Sequence, residues 1–174
     1  IKFGKVRVIR DENGLATDFV QEGEYVPFGN NDDKTDAIAM MITEKFMEYM
    51  RQHETYRNSI PTQSLLTITS NVVYGKHTGN TPCGRRSGTP FAPGANPMNG
   101  RDTRGAIASL ASVAKLPFHH SHDGISYTWA IAPATLGKSN EDQVTNLVNL
   151  MDGYFTPDGG QHLNVNVFDR DLLY

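Results

Sequence analysis

The sequence predicts an α/β fold, and three observations lead to it. Segments with a two-residue apolar period alternate along the chain with segments of helical period, the order expected of strands joined by helical crossovers and at least partly parallel pairing. One apolar segment, Ser64 to Gly75, has no charge on either strand face, which suits a strand covered on both sides. It runs directly into Gly75 to Gly105, a stretch rich in Gly and Pro with neither period. That stretch changes residue type at nearly every step, so it reads as a long ordered loop with one required path rather than a low-complexity linker.

Ile1 to Arg10 alternates Phe3, Val6 and Val8 with Lys2, Lys5 and Arg7, a short strand or extended arm. Asp11 to Asp18 is turn chemistry, and Gly23 to Asp33 is a polar loop. A helix is expected from about Lys34 to His53. Ile38, Met41, Ile42, Lys45, Phe46, Tyr49 and Met50 form its apolar stripe, read as a packing face, and Asp32, Asp33 and Asp36 sit near its positive end. Pro61 closes the connection to the Ser64–Gly75 strand, whose faces are Leu66, Ile68, Ser70, Val72 and Leu65, Thr67, Thr69, Asn71. Within the loop, glycines suit positive φ or close backbone approach, and Pro82, Pro90, Pro93 and Pro97 fix φ between them.

A short helix is expected from Gly105 to Lys115, stopped by Pro117, followed by a polar turn from His119 to Gly124. Ile125 to Ala132 alternates as a strand. Ser139 and Asp142 resemble a capping box, which opens a helix carrying Val144, Leu147, Val148, Met151 and Tyr154. After a break at Thr156 to Gly160, His162 to Phe168 is a last strand, with Leu163, Val165 and Val167 opposed to His162, Asn164 and Asn166. The closing DRDLLY reads as the start of a helix, so the domain is expected to be incomplete.

The 174 residues carry a net charge of −3 and one cysteine, Cys83. That balance gives no broad attraction to nucleic acid or anionic membrane, and a single cysteine allows no internal disulfide framework. No apolar run approaches membrane-spanning length and no secretory signal layout is present. The expectation is a cytoplasmic chain without nucleic-acid or membrane partners.

Generic motifs are few. Neither GxGxxG nor GxxxxGK[ST] occurs. His119, His120 and His122 lack further ligands at a metal-site spacing and read as a solvated turn, so no metal is expected. Cys83 precedes Gly84-Arg85-Arg86, where guanidinium groups favour a thiolate, but it shows no positioned base. Arg85 and Arg86 either bind an anion or pin the loop by donating to carbonyls. The polar row His162, Asn164, Asn166 suits either a wet face or a polar interior.

The strings SNVVYGKHTGNTPCGRRSGTPFAPGANPMNGRDTRGAIASLASVAKLPF, DGISYT, LMDGYF and GGQHLNVNV resemble the C-terminal part of pyruvate formate-lyase, a glycyl-radical enzyme family. So do VRVIRDENGLATDF, GEYVPFGNND and YRNSIPTQSLLTITSNVVYGK, so the resemblance covers essentially the entire chain. It implies part of a ten-stranded α/β barrel, with residues 1–158 in the barrel domain and 159–174 opening the glycine radical domain. It implies conversion of pyruvate and coenzyme A to formate and acetyl-CoA by a glycyl/thiyl radical mechanism in anaerobic glucose fermentation. The implied partners are the rest of the chain, a second copy in a homodimer, a radical-SAM activating enzyme and a stand-alone glycyl-radical spare-part protein.

The resemblance also implies that catalytic residues lie elsewhere. The family's Cys-Cys pair has no counterpart here, and its radical glycine lies C-terminal to GGQHLNVNV, beyond Tyr174. No cofactor is then bound by this chain; the full enzyme uses a post-translational glycyl radical, with coenzyme A as co-substrate. Residues expected to support the radical loop are Arg85, Arg86, Gly88, Arg101, His162, Asn164 and Asn166. Two departures are local: Cys83 stands where the family more often has Asp, and the Thr156–Asp158 connection is short. The alternatives are another glycyl-radical enzyme, a 2-oxobutyrate formate-lyase or diol dehydratase, or a non-catalytic anion-binding module.

Overall fold

The computed structural model describes residues 5–67 and 69–169; the expected arm at residues 1–4, Ile68 and most of the DRDLLY segment lie outside them. Strands β1 (Lys5–Arg10) and β2 (Ala16–Glu22) form an antiparallel hairpin, with a register shift between Ile9 and Arg10. The turn is tighter than the sequence suggests. Asp11 Oδ1 accepts from the Asn13 and Leu15 amides, each at 2.9 Å, and Gly14 takes φ of 79°. The chain is therefore extended again by Ala16, and Ala16–Asp18 belongs to a strand rather than a turn.

Helix α1 (Asp33–Met50) starts at an Asp32 cap accepting from the Thr35 amide. Its orientation overturns the expected packing face. Asp36, Thr43 and Met47 are buried, while Met41, Ile42, Phe46, Tyr49 and Met50 are exposed. The polar side is chosen because it has partners. Lys115 Nζ reaches Asp33 and Asp36, both at 2.8 Å, and Gln63 Nε2 donates to the Thr43 carbonyl at 3.1 Å.

The expected Ser64–Gly75 strand is reduced to one parallel bridge, Leu65 to Ile125, followed by helix α2 (Ser70–Lys76). Tertiary contacts outweigh the β propensity of Val72 and Val73. The Asn71 carbonyl and side-chain amide pair with the Phe91 amide and carbonyl at 3.1 and 3.0 Å. Gly75 lies so close to the Thr89–Phe91 backbone that a Cβ would overlap it. No helix or strand occurs from His77 to Gly105.

Helix α3 (Ala106–Ala114) follows, then a 3-10 turn at Phe118–His120 and strand β3 (Ser126–Ile131). Helix α4 (Asn140–Tyr154) opens with the Asp142 amide donating to Ser139 Oγ at 3.1 Å, as the capping pattern predicts. Strand β4 (His162–Val167) pairs parallel to β3, Ser126 opposite His162 through Ile131 opposite Val167. The core is where α3, α4 and one face of this pair meet: Leu110, Val113, Leu116, Phe118, Ile125, Tyr127, Trp129, Leu136 and Tyr154.

Candidate functional site

The Gly/Pro loop is knotted around Arg85, which is 3% exposed. Its Nη1 donates to the carbonyls of Gly75, Arg86 and Thr89, its Nη2 to those of Thr78 and Gly79, and its guanidinium stacks 4.4 Å from the centroid of Phe91. Of the two roles the sequence left open, pinning the loop is the one this geometry performs, since both terminal nitrogens are taken by carbonyls. Arg86 points the other way, to Asp18 on β2 at 2.9 Å, with most of its side chain in solvent. The Phe19 amide, then that guanidinium, hold the Asp18 carboxyl below its ordinary pKa.

Two further bonds clasp the hairpin to the loop: Gln21 Nε2 donates to the Pro82 carbonyl, and Asn80 Nδ2 to the Thr17 carbonyl at 2.9 Å. Arg101 folds back to the Cys83 carbonyl at 2.9 Å, across Gly84, where a Cβ would meet its guanidinium. Gly88 takes φ of 81° with open space around it.

Cys83 is exposed, its sulfur 3.1 Å from Thr81 Oγ1. Arg101 donates to the Cys83 backbone carbonyl, Arg85 to other carbonyls and Arg86 to Asp18, and among the described residues no base is hydrogen-bonded to the thiol. The histidine turn is closed on itself: His122 Nε2 donates to the His119 carbonyl at 2.7 Å, and the His119 and His120 rings lie 4.2 Å apart. Among the described residues no group of His, Cys, Asp and Glu could hold a metal ion. No helix among them is long and apolar enough to cross a membrane.

On β4, His162 and Asn164 are exposed and Asn166 is half-buried, while Leu163 and Val165 pack against the core. Among the described residues no hydrogen bond joins these three polar side chains to Arg85, Arg86, Gly88 or Arg101; the expected support residues form two groups. What links the groups is β3. Its Ser126 carbonyl accepts from the Ala95 amide at 2.8 Å, and Asn96 bonds both backbone groups of Thr128.

Three asparagines carry much of this architecture without having stood out in the sequence. Besides Asn71 and Asn96, buried Asn30 donates to the Pro27 and Arg101 carbonyls and accepts from the Arg104 amide, tying the loop before α1 to the end of the Gly/Pro loop. Their one signal was an Asn-rich composition. Nearby, a cleft of about 1110 Å3 opens between α3, β3, α4 and the loop, with Arg104, Trp129, Asn146, Asn149 and Tyr154 in its lining.

Below that cleft Ser109 Oγ donates to Asp102 at 3.2 Å and accepts from the Tyr127 hydroxyl at 2.6 Å. Burial pushes the Tyr127 and Tyr154 phenols up from their ordinary pKa.

Comparison with known families reads the same strings. The family described as pyruvate formate lyase-like matches residues 1–75, and the glycine radical family matches residues 91–174. The chain belongs to the pyruvate formate-lyase-like glycyl-radical enzymes. It is 62% identical, over 177 aligned positions, to each of two proteins of Escherichia coli (strain K12), PFL-like enzyme TdcE and formate acetyltransferase 1. Each alignment covers 99% of this chain and 23% of the relative, so the chain spans about a quarter of the length of these relatives. A structure solved for 1,2-propanediol dehydration in Roseburia inulinivorans is 30% identical, with a TM-score of 0.76 over 86% of this chain and 18% of that one. As a glycyl-radical enzyme sequence, then, this is a mixed α/β portion whose loop and last strand meet on β3.

Proposed function

We propose that the protein to which these residues belong is a formate C-acetyltransferase, converting pyruvate and coenzyme A to formate and acetyl-CoA by a glycyl/thiyl radical mechanism, and that this portion encloses and positions the radical site. The choice of reaction rests on 62% identity to a formate acetyltransferase, against 30% to the diol-dehydration structure. The role of the portion rests on one observation, the buried Arg85 knot.

A glycyl radical supplies an unpaired electron for hydrogen abstraction and persists only where water, oxygen and stray hydrogen donors are kept out. The residues present fit a wall of that kind. Arg85 replaces solvent at five carbonyls, and Gly75 brings two backbone segments into contact with no space between them. Arg85, Gly88 and Arg101 would hold the path of the loop and Arg86 would fasten it to the hairpin at Asp18; His162, Asn164 and Asn166 would face the segment that follows β4.

In this reading residues 1–158 belong to the barrel domain and 159–174 begin the glycine radical domain, divided at the Thr156–Gly160 break. The matched glycine radical region begins earlier, at residue 91. The barrel has ten strands, and the exposed apolar stripe of α1 packs against chain outside these residues. The enzyme is a cytoplasmic homodimer serving anaerobic glucose metabolism. It is activated by a radical-SAM enzyme, takes coenzyme A as co-substrate, and exchanges its radical segment with a spare-part protein. A 2-oxobutyrate lyase is kept as the second reading, because identity to PFL-like enzyme TdcE equals that to formate acetyltransferase 1 and so does not single out the acetyltransferase.

The full-length protein, activated without air, is assayed with pyruvate, 2-oxobutyrate and 1,2-propanediol while its glycyl signal is followed by electron spin resonance. Pyruvate cleavage with coenzyme A is the expected result; preferential turnover of the diol overturns the assignment. In Arg85→Lys, radical yield falls. Wild-type yield and lifetime in that variant would remove the enclosing role.

A further inference from the structure

The two groups of candidate support residues are joined through one edge of one strand. Ser126 and Thr128 turn their backbone groups away from β4. Ser126 N donates to the Leu65 carbonyl at 3.0 Å, its carbonyl accepts from Ala95, and both groups of Thr128 go to a side chain. Asn96 Nδ2 donates to the Thr128 carbonyl at 2.7 Å, and the Thr128 amide donates to Asn96 Oδ1 at 2.8 Å. A side-chain amide thus makes the pair of bonds that a neighbouring strand residue would make.

Around it the loop lies as close as a third strand. Gly94 N donates to Thr67 Oγ1 at 2.7 Å, and a Cβ on Gly94 would overlap the Ser126 carbonyl. On its other side Thr128 stands opposite Asn164, between the Ser126–His162 and Ala130–Asn166 pairs. Paired residues of parallel strands project to the same face, so the row His162, Asn164, Asn166 is aligned by the register of the strand that Asn96 holds.

We propose that Asn96 is a positioning residue: it completes the ladder of β3 on the edge opposite β4 and thereby couples the path of the Arg85-knotted loop to the polar row of β4. The value of that coupling for catalysis rests on the formate acetyltransferase reading; the mechanical coupling does not. Removing Asn96 leaves a strand donor and acceptor without partners, which is costlier than losing an exposed bond. The opening it permits spreads to β4, because the two strands share one ladder.

The test uses the full-length enzyme and the variants Asn96→Ala and Asn96→Asp. The aspartate keeps the acceptor for the Thr128 amide but sets a carboxylate oxygen against the Thr128 carbonyl. Asn146→Ala serves as control, since among the described residues the Asn146 side chain donates to the Leu136 carbonyl and to no group of β3 or β4. Hydrogen exchange is measured before activation. Both Asn96 variants are expected to speed exchange across residues 162–167 by about tenfold, and the control to leave it unchanged.

After activation, spin per chain and kcat should fall together by about tenfold while KM for pyruvate is unchanged. Faster exchange confined to residues 93–98 and Thr128 overturns the coupling. Faster exchange at β4 with wild-type spin and kcat overturns the positioning role. Absence of a glycyl signal in the wild type would instead count against the formate acetyltransferase reading, and exchange alone then decides the coupling.

Discussion

Gly160 lies hard against the ring of Tyr154: a Cβ built on Gly160 would come within 2.0 Å of its Cε1 and Cζ atoms. Its amide donates to the Tyr154 carbonyl at 2.8 Å, and Tyr154 is 2% exposed. Two separate strings, LMDGYF and GGQHL, are therefore a single contact at which α4 ends and β4 is launched. Gly160→Ala should destabilise by about 3 kcal/mol or more, because the buried ring has nowhere to move. Gly153→Ala is the contrast, since nothing stands within 4 Å of a Cβ there. Inside α4 it should be neutral or stabilise by up to about 1 kcal/mol. Thermal unfolding of the full-length protein separates the two, and equal effects would refute the contact.

Arg85 and Arg86 are neighbours with opposite fates. Arg86→Ala gives up one solvent-exposed ion pair with Asp18 and should leave the loop's resistance to protease close to wild type. Arg85→Ala strands five buried or half-buried carbonyls and should speed cleavage between residues 77 and 90 by about tenfold or more. Comparable protection in the two variants would count against the knot.

Alkali should act through the tyrosines. Burial raises the folded-state pKa of Tyr154 and Tyr127, so both stay neutral in the folded protein at a pH where unfolded tyrosine ionises. A raised pKa means that the folded state holds its proton more tightly. Its contribution is therefore complete below the ordinary tyrosine value of about 10 and is lost as pH climbs above it. Phenolate absorbance should show two populations, with the buried pair appearing only as the fold is lost. Ionisation of all tyrosines at ordinary pH without unfolding would contradict this.

The exposed stripe of α1 gives a prediction for the 174-residue chain expressed alone. Met41, Ile42, Phe46, Tyr49 and Met50 present a continuous apolar surface, which drives self-association. Sedimentation should show oligomers or aggregates, and Ile42→Ser with Phe46→Ser should shift the distribution toward monomer. A monodisperse wild-type monomer would exclude the stripe as a packing surface for further chain.

Much of the architecture was legible in the residues. The Ser139 cap, the alternation of residues 125–132 and 162–168 and the parallel order all read correctly, because each is set by local periodicity and hydrogen bonding. The failures share a cause. Ser64–Gly75 has strand propensity, yet Asn71 and Gly75 dock on residues 89–91, and that contact decides for a helix. The α1 stripe identified a helix but not its buried side, since Lys115 and Gln63 draw the polar side inward from distant positions. Arg85 was visible as a candidate, whereas Asn30, Asn71 and Asn96 act by imitating backbone, a role that leaves no period and no charge to read.

The Arg85 knot also bears on the order in which this portion takes shape. All five of its acceptors fall between residues 75 and 89. Contacts of such short sequence separation close early, ahead of pairings between remote segments. During synthesis every acceptor of the knot is present once Thr89 is clear of the ribosome, whereas the free edge of β3, and β4 beyond it, come only later in the chain.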